Sequence, residues 1–209
     1  MQKGRVLSIK NFGILEFFKN NSFLIIVTVI FTVGFFIGIF SINNFSFLKG
    51  YSTDYIAEYI SLRSDTSFGS IFISSFFGFL SELFVLFLLG ASLFGIITVP
   101  AAMLIKGITL GGVTAYLYST FSLKGIAFNA VIIIPPTLVF LIILLLCTRE
   151  SVRFSIKLSS LTLPKGLPVN LALDFKDYTI KYLILALSTV VCALIDAIIS
   201  TGLIKHFTL

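Results

Sequence analysis

The sequence predicts an all-α, polytopic helical membrane protein with five transmembrane helices, its N-terminus in the cytoplasm and its C-terminus outside. Three observations lead there. Of 209 residues, 57% are hydrophobic and only 11% charged, against roughly 25% charged in soluble domains. The apolar residues fall in runs close to the roughly 20 residues of helix that a hydrocarbon core of about 30 Å requires. The basic residues are distributed unevenly about those runs. At this length 1–209 reads as a single membrane domain with no separate soluble one.

The elements follow in order. The first span, about 22–42, is the run SFLIIVTVIFTVGFFIGIFSI. An outer segment, 43–73, comes next. Within it TDYIAEYISLR places Tyr55, Ile56, Tyr59 and Ile60 at helical spacing, with Thr53 as a cap. Such a helix either lies on the outer leaflet or forms a docking surface for an extracytoplasmic partner. The second span is about 74–99. The third, about 103–119, is shorter and richer in Gly and Thr, and Lys106 is expected at its inner end, where it can snorkel to the headgroups. The fourth span is about 125–147 and the fifth about 178–203. Between them a cytoplasmic loop, 148–177, starts as a helical extension and is broken by Pro164, Gly166 and Pro168.

Charge sets the orientation. Lys3, Arg5, Lys10, Lys19, Lys106, Arg149, Arg153, Lys157, Lys165, Lys176 and Lys181 fall on one side, and Lys49, Arg63, Lys124 and Lys205 on the other. Basic residues favour the cytoplasmic face. The net charge of +6 therefore reads as orientation and contact with anionic membrane lipid, and no nucleic-acid partner is expected. Cys147 and Cys192 lie in or beside apolar runs as small buried hydrophobes. His206 stands alone near the C-terminus, so neither a metal site nor a cofactor is expected. No serine has a His or Lys arranged as its base, and KGITLGG lacks the order of a phosphate loop. The expectation is that the protein is not an enzyme and has no catalytic residues.

Within the spans, small and polar residues stand out. Gly34 with Gly38, and Gly107 with Gly111, form GxxxG pairs. These serve either packing within the chain or a homo-oligomer interface. Pro135 and Pro136 deprive the carbonyls of Val131 and Ile132 of their helical partners, which kinks the fourth span or breaks it at a transport site. Glu82, Asn129 and Asp196 fall at similar depths from the outer side and are expected to share one polar layer.

The blocks FLLGASLFGIITVPAAMLIKGITLGGVTAYL and VIIIPPTLVFLIILL, a basic loop, and a last span ending ALIDAIIS then come in a distinctive order. With Leu89-Gly90 and Gly95, Lys106-Gly107 and Gly111, and Ile134-Pro135, the chain resembles the stage II sporulation protein M family over nearly its whole length. The resemblance implies a non-enzymatic scaffold of the engulfment machinery in the bacterial cytoplasmic membrane. It implies anchoring of two extracytoplasmic peptidoglycan-degrading partners, stage II sporulation proteins D and P, at the septal membrane. The outer segment is the expected working surface, with Tyr55, Tyr59 and Phe68 as anchors. The rival reading is a small channel or transporter with an outer-leaflet acidic site, using Glu82, Asp196 and the distortion at Pro135.

Overall fold

The computed structural model describes residues 22–42, 44–64, 67–161 and 170–203. The first four basic residues, the break at Pro164 to Pro168, and His206 lie outside them. The described residues are helical throughout, apart from short connections. The helices are α1 (Ser22–Ser41), α2 (Ser46–Ser64), α3 (Phe68–Gly90), α4 (Gly95–Phe128), a π-helical turn (Asn129–Ile133), α5 (Ile134–Ser160) and α6 (Leu171–Leu203).

Among the described residues, four helical stretches are long and apolar enough to cross a membrane: Ser22–Ser41, Phe68–Gly90, Gly95–Ser160 and Leu171–Leu203. The third is 66 residues long, and it folds back on itself at Ser122. That residue has φ 49° and ψ −127°, the conformation of the first central residue of a type II′ turn. Beyond it Asn129 Nδ2 lies 3.4 Å from Thr114 Oγ1 and 3.3 Å from the Tyr118 hydroxyl. In a continuous helix, residues 114 and 129 would be about 22 Å apart. Gly125 makes the close return feasible, because a Cβ there would stand 2.1 Å from the Leu117 carbonyl oxygen. The two legs, 95–121 and 123–160, occupy the places expected for the third and fourth spans.

The GxxxG pairs meet each other. Gly34 faces the backbone of Leu104 and Ile108, Gly38 faces Ile108 and Gly112, and Gly107 and Gly111 face Phe31 and Phe35. Residue numbers rise together along the two helices, so α1 and the first leg of α4 run parallel. Both grooves are filled within the chain. α3, α5 and α6 form the other half of the bundle. Its core includes Leu83, Leu86, Met103, Phe140, Leu144, Cys147 and Cys192. Near the end of α3, α5 and α6 donate to its carbonyls: the Ser151 hydroxyl to Leu86, and the Tyr178 hydroxyl to Phe87, whose oxygen also accepts from the Ala91 N–H.

Several expected boundaries move. The second apolar stretch ends at Gly90 and the next helix starts at Gly95, not near 100–102. Pro100 is accommodated five residues into α4, where the bond it removes is one of the first in the helix. Lys106 is therefore eleven residues inside α4, not at its end. The loop expected over 148–177 is largely helix, since α5 continues to Ser160 and α6 begins at Leu171. Thr53 is no cap, because α2 begins at Ser46 and the Thr53 hydroxyl donates to the Lys49 carbonyl. The distortion at Pro135 and Pro136 takes the form of a widened turn just before them, in which the Ile134 N–H bonds the Asn129 carbonyl.

Two measurements check this arrangement. Single cysteines at Leu123, which is 81% exposed, and at Asn170 should react with a membrane-impermeant maleimide from opposite faces. Reaction from one face would contradict the crossing of the second leg. Gly38→Leu drives a side chain into backbone and should lower unfolding stability in detergent by about 3 kcal/mol. Gly69→Ala, with nothing within 4 Å of the added carbon, should change it by less than about 0.5 kcal/mol.

Candidate functional site: a polar crevice beneath the second helix

The site begins with the pattern on α2. Leu48, Ser52, Ile56, Tyr59 and Arg63 are its buried residues. Their spacing of three to four places them on one face. Leu48 packs on Gly112, and Ile56 and Tyr59 join Val113, Leu117, Phe128 and Ile132 in a second core cluster. Thus α2 lies across the hairpin of α4 and α5, and its last turn reaches α3 and α6.

There a buried ion pair forms. Arg63 Nη2 lies 2.6 Å from Asp196 Oδ2, with both side chains under 9% exposed. Asp196 also accepts from Tyr59 at 2.9 Å, from Ser200 at 3.2 Å and from Ser75. Four donors fill the accepting capacity of one carboxylate. Arg63 stacks on the Tyr59 ring with Cζ 3.6 Å from the centroid, a cation–π contact. Its Nη1 donates to the Tyr59 carbonyl, while its Nε has no partner. Asp196 and Ser75 are each seven residues from a helix end, about 10 Å in.

Deeper in, Lys106 Nζ lies 2.6 Å from Glu82 Oε1. Both residues are near the middle of their helices, where an ionisable side chain normally requires a partner. Glu82 forms part of the wall of a cavity of about 240 Å³ that runs from there past Tyr55, Glu58, Arg63, Pro136 and Asp196. Its exposed lining residues, Glu58, Leu62, Ser74 and Gly78, put the mouth between α2 and α3. Tyr55 is 37% exposed and lines this crevice. Burial and the charge of Glu82 push its phenol up to about 12. Burial, and then Asp196, push the Tyr59 phenol up as well. Both stay protonated at physiological pH, so Tyr59 remains a donor to Asp196.

The residues expected to act together are thus partly regrouped. Glu82 and Asp196 share the crevice. Asn129 does not, because it is buried against Thr114 and Tyr118 at the α4–α5 turn. Tyr59 is not on an outward surface. It is 9% exposed and bonded to Asp196, because the helix turns its most apolar stripe inward. Tyr55 and Phe68 stay accessible, at 37% and 43%. Sequence reasoning missed Arg63, Ser75, Ser200, Glu58 and the partner of Lys106. For Arg63 a signal existed, since it continues the Ile56–Tyr59 stripe at the next helical step.

Among the described residues, no three His, Cys, Asp or Glu side chains converge as metal ligands. A bundle of long apolar helices, in which Glu82, Lys106 and Asp196 are paired with charges on neighbouring helices, defines an integral membrane protein. The family model described as Stage II sporulation protein M matches residues 27–201, and the chain belongs to that family. No curated protein and no solved structure matches it.

Asp196→Ala strands the Arg63 guanidinium in the protein interior and should cost about 3–5 kcal/mol of stability. Replacing both partners with apolar residues (Arg63→Met, Asp196→Leu) should recover much of that. Unfolding in detergent, with limited proteolysis of α2 as a second readout, measures both. A double variant as unstable as the single one would show that the cost comes from losing the pair and its hydrogen bonds and not from a stranded guanidinium.

Proposed function

We propose that this protein is a non-enzymatic scaffold of the sporulation engulfment machinery in the bacterial cytoplasmic membrane. On this reading the N-terminus is cytoplasmic, α2 faces outward, and the chain crosses five times. The partners are peptidoglycan-degrading proteins, by family resemblance stage II sporulation proteins D and P. The observation that carries the reading is the firm seating of α2 on the bundle with an apolar surface left uncovered. Phe45 and Phe47 are 62% and 84% exposed, and Tyr51, Tyr55, Leu62 and Phe68 between 37% and 43%. Aromatic anchors on a rigid support suit a docking surface, since little ordering is required on binding. A cell-wall hydrolase works outside the membrane, on the side where this surface lies in the five-crossing arrangement.

The crevice reaching Glu82 favours a second reading, a small transporter with an acidic site. Cation or proton flux in proteoliposomes, abolished by Glu82→Gln, would establish that reading instead.

Replacing Tyr55 and Phe68 together with Ser leaves the Arg63–Asp196 contact untouched and alters the spans only at the first residue of α3. Recovery of the partners from native membranes should fall about tenfold or more, at 1–2 kcal/mol per lost anchor. Undiminished recovery would move the docking surface away from α2 and the start of α3.

A further inference from the structure

Glu82 stands on the wall of two cavities. One is the crevice beneath α2. The other, of about 270 Å³, lies between α3 and α4, and its lining includes Tyr51, Glu82, Val85, Ile105, Lys106 and Thr109. Its depth follows from α1, whose 20 residues match the thickness of a hydrocarbon core. Gly107, next to Lys106, packs on α1 between Phe31 and Phe35, beside Gly34. Gly34 is seven residues from Ser41, the nearer end of α1, so Lys106 lies about 10 Å inside. The cavity has two chemically different ends. At one, the Lys106–Glu82 pair is not sealed, with side chains 27% and 39% exposed. Among the described residues Lys106 Nζ spends one of its three N–H groups, on Glu82 Oε1, and Glu82 Oε2 accepts from nothing. At the other, Val85 and Ile105 are 53% and 60% exposed, so at this depth the rim meets acyl chains. An acyl chain alone would leave an accessible carboxylate oxygen and accessible N–H groups unanswered, which is costly in hydrocarbon. Water alone would have to be held against a rim open to lipid. A molecule polar at one end and apolar at the other answers both.

We propose that the cavity between α3 and α4 seats an uncharged amphiphile, a lipid of the diacylglycerol class. Its hydroxyl reaches the Lys106–Glu82 pair and its chains leave past Val85 and Ile105. A hydroxyl donates to Glu82 Oε2 and accepts from Lys106 Nζ at once. The head is uncharged for two reasons. The pair already neutralises itself, so an added charge of either sign repels one member. Carrying a phosphate about 10 Å below the edge of the hydrocarbon also incurs a desolvation cost that a hydroxyl avoids. The proposal does not rest on the scaffold reading.

Two variants probe the two ends. Glu82→Leu combined with Lys106→Met removes both charges together, so neither is stranded. Val85→Phe narrows the rim at an exposed position and leaves the pair intact. The full-length protein, delipidated in detergent, would be titrated with dioleoylglycerol, dioleoylphosphatidylglycerol and dioleoylphosphatidylethanolamine, which share their chains. Free glycerol serves as a competitor that carries the hydroxyls alone, and bound species are counted by native mass spectrometry. Thermal unfolding verifies the fold of each variant. Dioleoylglycerol should bind about tenfold more tightly than either phospholipid, the scale of one or two net hydrogen bonds. The double variant should lose that preference, Val85→Phe should weaken dioleoylglycerol binding, and glycerol should not displace the lipid. Either phospholipid binding as tightly as dioleoylglycerol would overturn the proposal, as would displacement by glycerol at equal concentration. So would a double variant that folds and keeps the preference. If the double variant does not fold, Val85→Phe decides, because undiminished binding to it places the lipid elsewhere.

Discussion

The contact between Arg63 and Asp196 sets where everything at one end of the molecule stands. Taking a guanidinium and a carboxylate out of water costs several kcal/mol per ion, and a lone ion pair rarely recovers it. Here the carboxylate gains donors from Tyr59, Ser75 and Ser200 as well, and the guanidinium gains the face of the Tyr59 ring. Three helices, α2, α3 and α6, contribute to one point. α2, which is much less apolar than its neighbours, is thereby held against a bundle it would not enter on hydrophobicity alone. The crevice exists because α2 is pinned at that point and leaves space between itself and α3.

The apolar runs were legible because a bilayer imposes length and composition together. The GxxxG pairs were legible as grooves, and each turned out to be the other's partner. What could not be read was which distant residue meets which. Arg63 and Asp196 are 133 positions apart, and nothing local distinguishes a pairing charge from one that merely orients a loop. Lys106 shows the resulting error. A lone lysine is most easily placed at the membrane edge, which shifted the expected start of its helix to 103. Glu82, 24 residues earlier, makes the interior tolerable to it, and the helix begins at Gly95. Tyr59 was misread for a related reason. Spacing fixes that Tyr55 and Tyr59 are neighbours along a helix, but not how the helix is rotated against the bundle.

The same seating of α2 produces two different surfaces. Its inner edge closes one side of a charged cleft, while its outer edge leaves Phe47, Tyr51 and Leu62 uncovered. Tyr55 touches both, lining the cleft and remaining partly accessible. One side chain thus joins the cleft to the outer edge, on an element whose last turn is fixed by a buried pair.

The parallel crossing of α1 and α4 has a consequence for biosynthesis. Gly38 and Gly107 are separated by 69 positions (107 − 38). At translation rates of about 5–20 residues per second, roughly 3–14 s pass between their emergence from the ribosome. During that interval α1 resides in the bilayer with its glycine groove facing lipid, and α2 and α3 are made before its mate arrives. The first of the described helices thus stays unlocked until α4 is made, and α2 cannot settle onto the hairpin until α4 and α5 exist. Its capture by Asp196, close to the C-terminal end of the described chain, comes later still. Assembly of this end of the molecule waits on the final helix, so a nascent chain released early would carry a membrane bundle without the surface that distinguishes it.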